Sequence, residues 1–179
     1  MRVGLDLHQR QVPVDLAIDD GVELPAALRR TLRGELARMV RAAGPRLEVA
    51  VRLCGDAAIR VLNAGWRGKD KPTDVLAFAQ REAASADSDL LGDIVISVDT
   101  ARRQARRGLH AELLHLASHG LCHLLGYDHR DDEEERVMNA RAAELRRAAR
   151  DGLRKRKPKR QRKTAAAAVN GGGSGLRQR

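Results

Sequence analysis

Residues 115–129 read HLASHGLCHLLGYDH. On a helix, His119 and His123 stand at i and i+4, so their side chains lie one above the other on a single face. Leu113, Leu114, Ala117, Leu121, Leu124 and Leu125 form the neighbouring apolar face, which gives the helix a core side and a histidine side. Gly126 follows at a position where helices end in a left-handed turn. That turn predicts a chain reversal that brings His129 beside the pair. Three neutral imidazoles with water in the fourth position make an open tetrahedral zinc site of the catalytic kind. A metal so held lowers the pKa of its bound water to about 7, and three imidazoles favour one Zn2+ over other divalent ions. Cys122 lies between two of these candidates but points away from both. His115 extends the stripe by one turn, and reads as a neighbour of the ligands or an exposed residue before a fourth ligand. Asp128 either orients an imidazole or shapes the turn.

The spacing H-x3-H-x2-G-x2-H coincides with the metzincin protease pattern at its three histidines and its glycine. It departs at Gly120, where those proteases carry the glutamate that serves as general base. Glycine moves no proton. The metal geometry is kept and the peptidase base is missing, so a metzincin-like peptidase stands only as the alternative to another zinc-dependent hydrolase.

Outward from this segment, strand-like and helix-like patterns alternate. Val12 to Ile18 alternates apolar and polar residues. Pro25 suits the first turn of a helix, and Leu28, Leu32, Leu36, Met39 and Val40 recur at helical spacing up to Gly44. Leu47, Val49 and Val51 alternate as a strand. A short helix is predicted over 57–64, strands over 75–78 and 94–98, and a helix capped by Asp99 that stops near Gly108. The histidine helix is predicted from His110 to Leu125. A last helix opens in the acidic DDEEE run, suited to the positive end of a helix dipole, and ends near Gly152. The order predicts an α+β fold, with helices packed on a small mixed sheet.

A second motif is LNAGWRGKDKPTDVLAFA, residues 62–79. Pro72 breaks any helix, so KDKPTD reads as a loop. Arg67, Lys69 and Lys71 cluster just before a strand, and an arginine fork suits a phosphate. The chain has three aromatic residues, Trp66, Phe78 and Tyr127, all inside the two motifs. Trp66 is a candidate for stacking an unpaired base beside Arg67 at the loop edge, whereas Phe78 reads as core.

HGLCHLLGYDH, LNAGWRGKDKPTDVLAF and LLGDIVIS (residues 90–97) together resemble the YbeY family of rRNA maturation factors, in the same order, over about residues 12–150. The resemblance implies a compact zincin-like domain and a metal-dependent endoribonuclease acting on single-stranded RNA. It implies a role in 16S rRNA 3′-end maturation and ribosome quality control, with rRNA and the small ribosomal subunit as partners. It places the zinc ligands on His119, His123 and His129 and the motif arginine on Arg67. VLAFA at 75–79 stands where the family usually has VLSFP, so Ala77 lacks a hydroxyl, and Trp66 stands where tyrosine is common. A non-catalytic, zinc-stabilised ribosome-assembly factor is the other alternative.

The formal net charge is +10, from 34 basic and 24 acidic residues. Ten of the basic residues, Arg154 to Arg179, follow Gly152, where no acidic residue occurs; residues 1–151 balance at 24 of each sign. The predicted division is a catalytic domain over 1–153 and a disordered, basic, low-complexity tail over 154–179. Such a tail suits RNA, or serves solubility alone. No apolar run approaches the roughly 20 residues of a membrane span, and MRVGLDLHQRQVPVD has no apolar signal-like core. Two distant cysteines, Cys54 and Cys122, fit reduced thiols. The expected compartment is the cytoplasm, with no membrane partner.

Overall fold

Strand alternation decides which side of the sheet each residue faces. In the computed structural model residues 13–80, 89–128 and 130–154 are described. The elements run β1 (Val14–Ile18), α1 (Ala26–Ala43), β2 (Glu48–Cys54), α2 (Asp56–Arg67), β3 (Val75–Ala79), β4 (Leu90–Ser97), α3 (Val98–Gln104), α4 (Leu109–Leu124) and α5 (Asp132–Arg154). The sheet order is β1-β2-β4-β3. β1 and β4 each pair in parallel with β2, and β3 runs antiparallel to β4 at the edge. This is an α+β fold with a mixed sheet, as the element order predicts. Val12, His129 and residues 155–179, to which the sequence assigns roles above, lie outside the described residues. Among the described residues no helix is long and apolar enough to cross a membrane.

One face of the sheet carries the main core. Val14 and Leu16 of β1, Val49, Val51 and Leu53 of β2, and Ile94 and Ile96 of β4 bury against α1, α4 and α5. Leu32, Leu36, Met39 and Val40 supply the buried stripe of α1, at the spacing read from the sequence. Leu113, Leu114 and Leu121 of α4 are fully buried, each contributing about 2–3 kcal/mol in apolar transfer. Among the described residues the other face is covered on the β3–β4 side, where Ile59 of α2 meets Leu76 and Val95. Two polar ties join the helices: Arg38 Nε donates to the Ala149 carbonyl at 2.6 Å and Arg146 donates to Ser118 Oγ at 2.7 Å.

Several boundaries differ from the sequence reading: β2 runs on to Cys54, and α3 stops at Gln104, short of Gly108. α2 continues past Ala64 to Arg67, because packing carries the helix through Gly65, a residue that weakens an isolated helix. β4 begins at Leu90, four residues early, since its pairing with β2 extends to Glu48. The cap of α3 is Ser97, whose hydroxyl accepts from the Thr100 N–H at 3.1 Å, and not Asp99. Asp99 instead accepts from the Asp56 N–H at 3.1 Å, so it serves the start of α2.

Asp56 is the centre of the knot that holds α2. Ser97 and Thr100 donate to Oδ1 at 2.6 and 2.7 Å, and Arg103 pairs with Oδ2 at 2.7 Å. Burial alone pushes this carboxyl up, but the bonds from Ser97, Thr100 and Arg103 outweigh it and hold it below the usual carboxylate range. Asp56→Ala is expected to lower stability by about 2–3 kcal/mol, read as a shift in urea midpoint. A depressed folded-state pKa means the contribution is complete above the unfolded value near 4 and fades as pH falls through the folded one. The wild-type advantage over the variant therefore shrinks on acidification below about pH 4.

Candidate active site

α4 has one solvent-facing strip. His115 is exposed and His119 and His123 are half-buried, while every residue between them on the helix is buried. The i, i+4 spacing stacks His119 over His123 with ring centroids 4.8 Å apart and ring planes near perpendicular, at 85°. Their Nε2 atoms lie 3.3 Å apart. Two nitrogens bound to a tetrahedral zinc at about 2.0–2.1 Å stand about 3.3 Å apart, so the pair fits such an ion. Among the described residues no group of three metal-ligating side chains occurs, the third candidate, His129, being outside them.

Gly120 has a structural reason to be glycine. It is buried on the sheet side of α4, and a Cβ there would lie 2.9 Å from Ile94 Cγ2 and 3.4 Å from Val75 Cγ2. The missing side chain lets α4 sit close on β3 and β4. A glutamate at this position would have to displace Ile94 and Val75 before it could extend toward the histidines.

The helix ends as predicted. Gly126 takes a φ of 91°, its N–H bonds to the His123 carbonyl at 2.9 Å, and the Tyr127 N–H bonds to the Cys122 carbonyl at 3.0 Å. This is a Schellman turn, which satisfies the carbonyls of the last helical turn and reverses the chain. It delivers Asp128 to the rim of the histidine pocket, where its carboxylate accepts from Arg130 at 2.8 Å.

The pocket, of about 430 Å³, is lined by Arg67, Thr73, Asp74, Val75, Ala77, His119, Gly120, His123 and Asp128. Five segments converge there: the end of α2, the loop before β3, β3 itself, α4 and the turn after it. The loop is pinned back on α2 by Asn63, which donates to the Lys71 carbonyl at 2.8 Å, and by Arg60, bidentate to Asp70 at 2.6 Å. Asp74 is the residue that sequence reasoning did not single out. Its Oδ1 accepts from the Val75 N–H at 2.8 Å and from the Thr73 hydroxyl at 3.3 Å, and its backbone carbonyl accepts from Ser97 N–H at 2.9 Å. Lys69 and Lys71 are exposed on the loop and do not line the pocket. His115 lies in a different cavity, among arginines.

The family model described as Endoribonuclease YbeY matches residues 20–150. The chain belongs to the endoribonuclease YbeY family. An Endoribonuclease YbeY of Synechococcus sp. (strain RCC307) is 44% identical over 136 residues, covering 72% of this chain and 84% of that protein. One of Anaeromyxobacter sp. (strain Fw109-5) is 51% identical over 104 residues, 56% of this chain. The match to the latter spans only 54% of its length. A solution structure from Thermotoga maritima aligns with a TM-score of 0.53 at 27% identity, over 79% of this chain and 93% of that one.

The two departures from the YbeY pattern fall on opposite sides of β3. Ala77 faces the histidine pocket, which Thr73 also lines. Phe78 faces the other way and meets Trp66 edge-on, with centroids 5.4 Å apart. Trp66 lies in the last turn of α2, not in the loop, is 72% exposed, and lines a wide trough with Arg52, Gln80 and Asp93. Adjacent residues Trp66 and Arg67 thus serve different clefts. The thiols take no part: burial pushes both Cys54 and Cys122 up to about 11, and Cys122 Sγ faces the Met138 carbonyl.

Proposed function

We propose that this chain is a zinc-dependent endoribonuclease specific for single strands, with a zincin-like site. We further propose that it acts in the cytoplasm in rRNA processing, at 16S rRNA 3′-end maturation on the small ribosomal subunit, and in ribosome quality control. The observation that carries this reading is the convergence of Arg67 with His119 and His123 in one pocket from separate elements. Membership of the endoribonuclease YbeY family supports the same reaction class.

His119, His123 and His129 would hold the ion. Zinc in such a site supplies Lewis acidity and a water acidic enough to attack at neutral pH. Arg67 binds a nonbridging phosphate oxygen and stabilises the charge that builds as the phosphodiester is attacked. The Asp74 carboxylate, oriented by the Val75 N–H, accepts the proton given up by the attacking water. Lys69 and Lys71 hold the flanking backbone by charge, and Trp66 offers a stacking face to a base that leaves the pocket over α2. Gly120 places no proton acceptor where a peptidase needs one.

The test is cleavage of a labelled single strand, the matching duplex and casein by wild type and Arg67→Glu. Wild type is expected to cut the single strand alone. Arg67 is exposed, so its variant keeps the fold and loses about 100-fold in kcat/KM. Casein cleavage without RNA cleavage would assign a peptidase. Unfolding on chelation, with no cleavage of any substrate, would assign an assembly factor with a structural zinc.

A further inference from the structure

Two separate elements bring arginines to one cavity of about 530 Å³. Arg106 and Arg107 come from the turn before α4. Arg146, Arg147 and Arg150 come from the last turns of α5. Gln104, Glu112 and His115 complete the polar lining. Among the described residues none of the five arginines forms an ion pair. Arg52, Arg60, Arg103 and Arg141, by contrast, each hold a carboxylate at 2.6–2.8 Å.

Like charges so gathered oppose folding. Burial and the neighbouring charges of Arg150 and Arg147 together make Arg146 harder to keep charged, although Cys122 partly offsets them. Arg146 is fixed at the floor by its bond to Ser118 Oγ at 2.7 Å, while Arg106, Arg107, Arg147 and Arg150 reach out from exposed positions. The apolar residues lining the cavity are Ala111 and Ala143. A protein interface is built around large apolar or aromatic anchors, and this surface offers none. Guanidinium forks without acid partners fit phosphate groups.

The cavity opens onto the same strip of α4 that carries the histidines. From His115, in its wall, to His123 is two helical turns, about 12 Å along the axis. We propose that this cavity is a second backbone-phosphate subsite for the RNA strand cut at the histidine pocket. The proposal rests on the endoribonuclease reading and adds where the strand runs: along α4, away from the scissile bond and toward α5.

The test uses the full chain, with wild type, the double variant Arg147→Glu/Arg150→Glu and the Lys/Lys counterpart. Binding of a single strand of about 20 nucleotides is measured across a salt series, and cleavage is compared between that strand and a dinucleotide, which carries a single phosphate. The Glu/Glu variant is expected to bind the long strand about 10-fold more weakly, with a salt slope shallower by about 1.5. The Lys/Lys variant keeps the slope. Cleavage of the short strand, which cannot span both sites, stays within about twofold in kcat/KM. An unchanged salt slope in Glu/Glu, or a short strand impaired as much as the long one, overturns the subsite. Displacement of RNA by polyglutamate at equal charge would assign the surface to an acidic protein instead. Loss of slope in a protein whose wild type cuts no RNA fails the ribonuclease reading and leaves the binding surface standing.

Discussion

His123→Ala is expected to lose zinc and to cleave single-stranded RNA at least about 100-fold more slowly than wild type. Even residues that only orient a metal ligand change affinity or activity by about 10–100-fold, and removal of the ligand itself exceeds that. The fold should survive, because His123 lies on the solvent strip of α4 while Leu121, Cys122 and Leu124 around it carry the burial. Metal analysis of the purified variant, cleavage rate and thermal midpoint give three independent readings. His115→Ala is the control, since its side chain lies among the arginines, and its zinc content should match wild type. Undiminished cleavage by His123→Ala would remove the histidine pair from the chemistry.

Gly120→Glu should unfold the protein rather than make a peptidase of it. The substitution completes the protease pattern in sequence, yet the Cβ alone meets Ile94 Cγ2 at 2.9 Å. Overpacking costs about 1–3 kcal/mol, and burying a carboxylate without a partner adds several more. The expected loss exceeds about 3 kcal/mol in urea unfolding. Gly120→Ala separates the two contributions: its methyl group crowds Ile94, while alanine gains roughly 1 kcal/mol in helix propensity, so a net change of about 1 kcal/mol is expected. A stable Gly120→Glu protein that digests casein would show that the close packing of α4 is not what excludes the base.

Local geometry explains what the sequence disclosed. The i, i+4 relation of His119 and His123 and the left-handed turn at Gly126 depend on a few consecutive residues, so spacing was enough to read them. The α+β order followed from alternation in β1 and β2 and the periodicity of α1. Asp74 and Thr73 could not be found this way, because they come to line the histidines' pocket only through the contact of β3 with α4. The extension of α2 through Gly65 was hidden for the same reason: intrinsic preference argues for a stop, and the contact of Trp66 with Phe78 lies beyond it. That extension is what separates Trp66 from Arg67. Asp99 and Ser97 are both residues that cap helices, and only the length of β4 decides between them. Arg106, Arg107 and the α5 arginines were invisible as a group, since their charges are balanced over the whole body and gathered only in space.

Edge strand β3 is a wall one residue thick between two clefts. Val75 and Ala77 line one, Phe78 the other. Because a shift of one residue turns every side chain to the opposite face, inserting or deleting a single residue within 68–74 would exchange the linings of both clefts at once. Phe78 would enter the histidine pocket, and the trough would lose its ring. A two-residue change would restore the facing but move Asp74 off its place beside the pair. The length of this exposed loop, with its Pro72 and lysines, is therefore held as strictly as the spacing of the histidines, although no residue in its middle touches them.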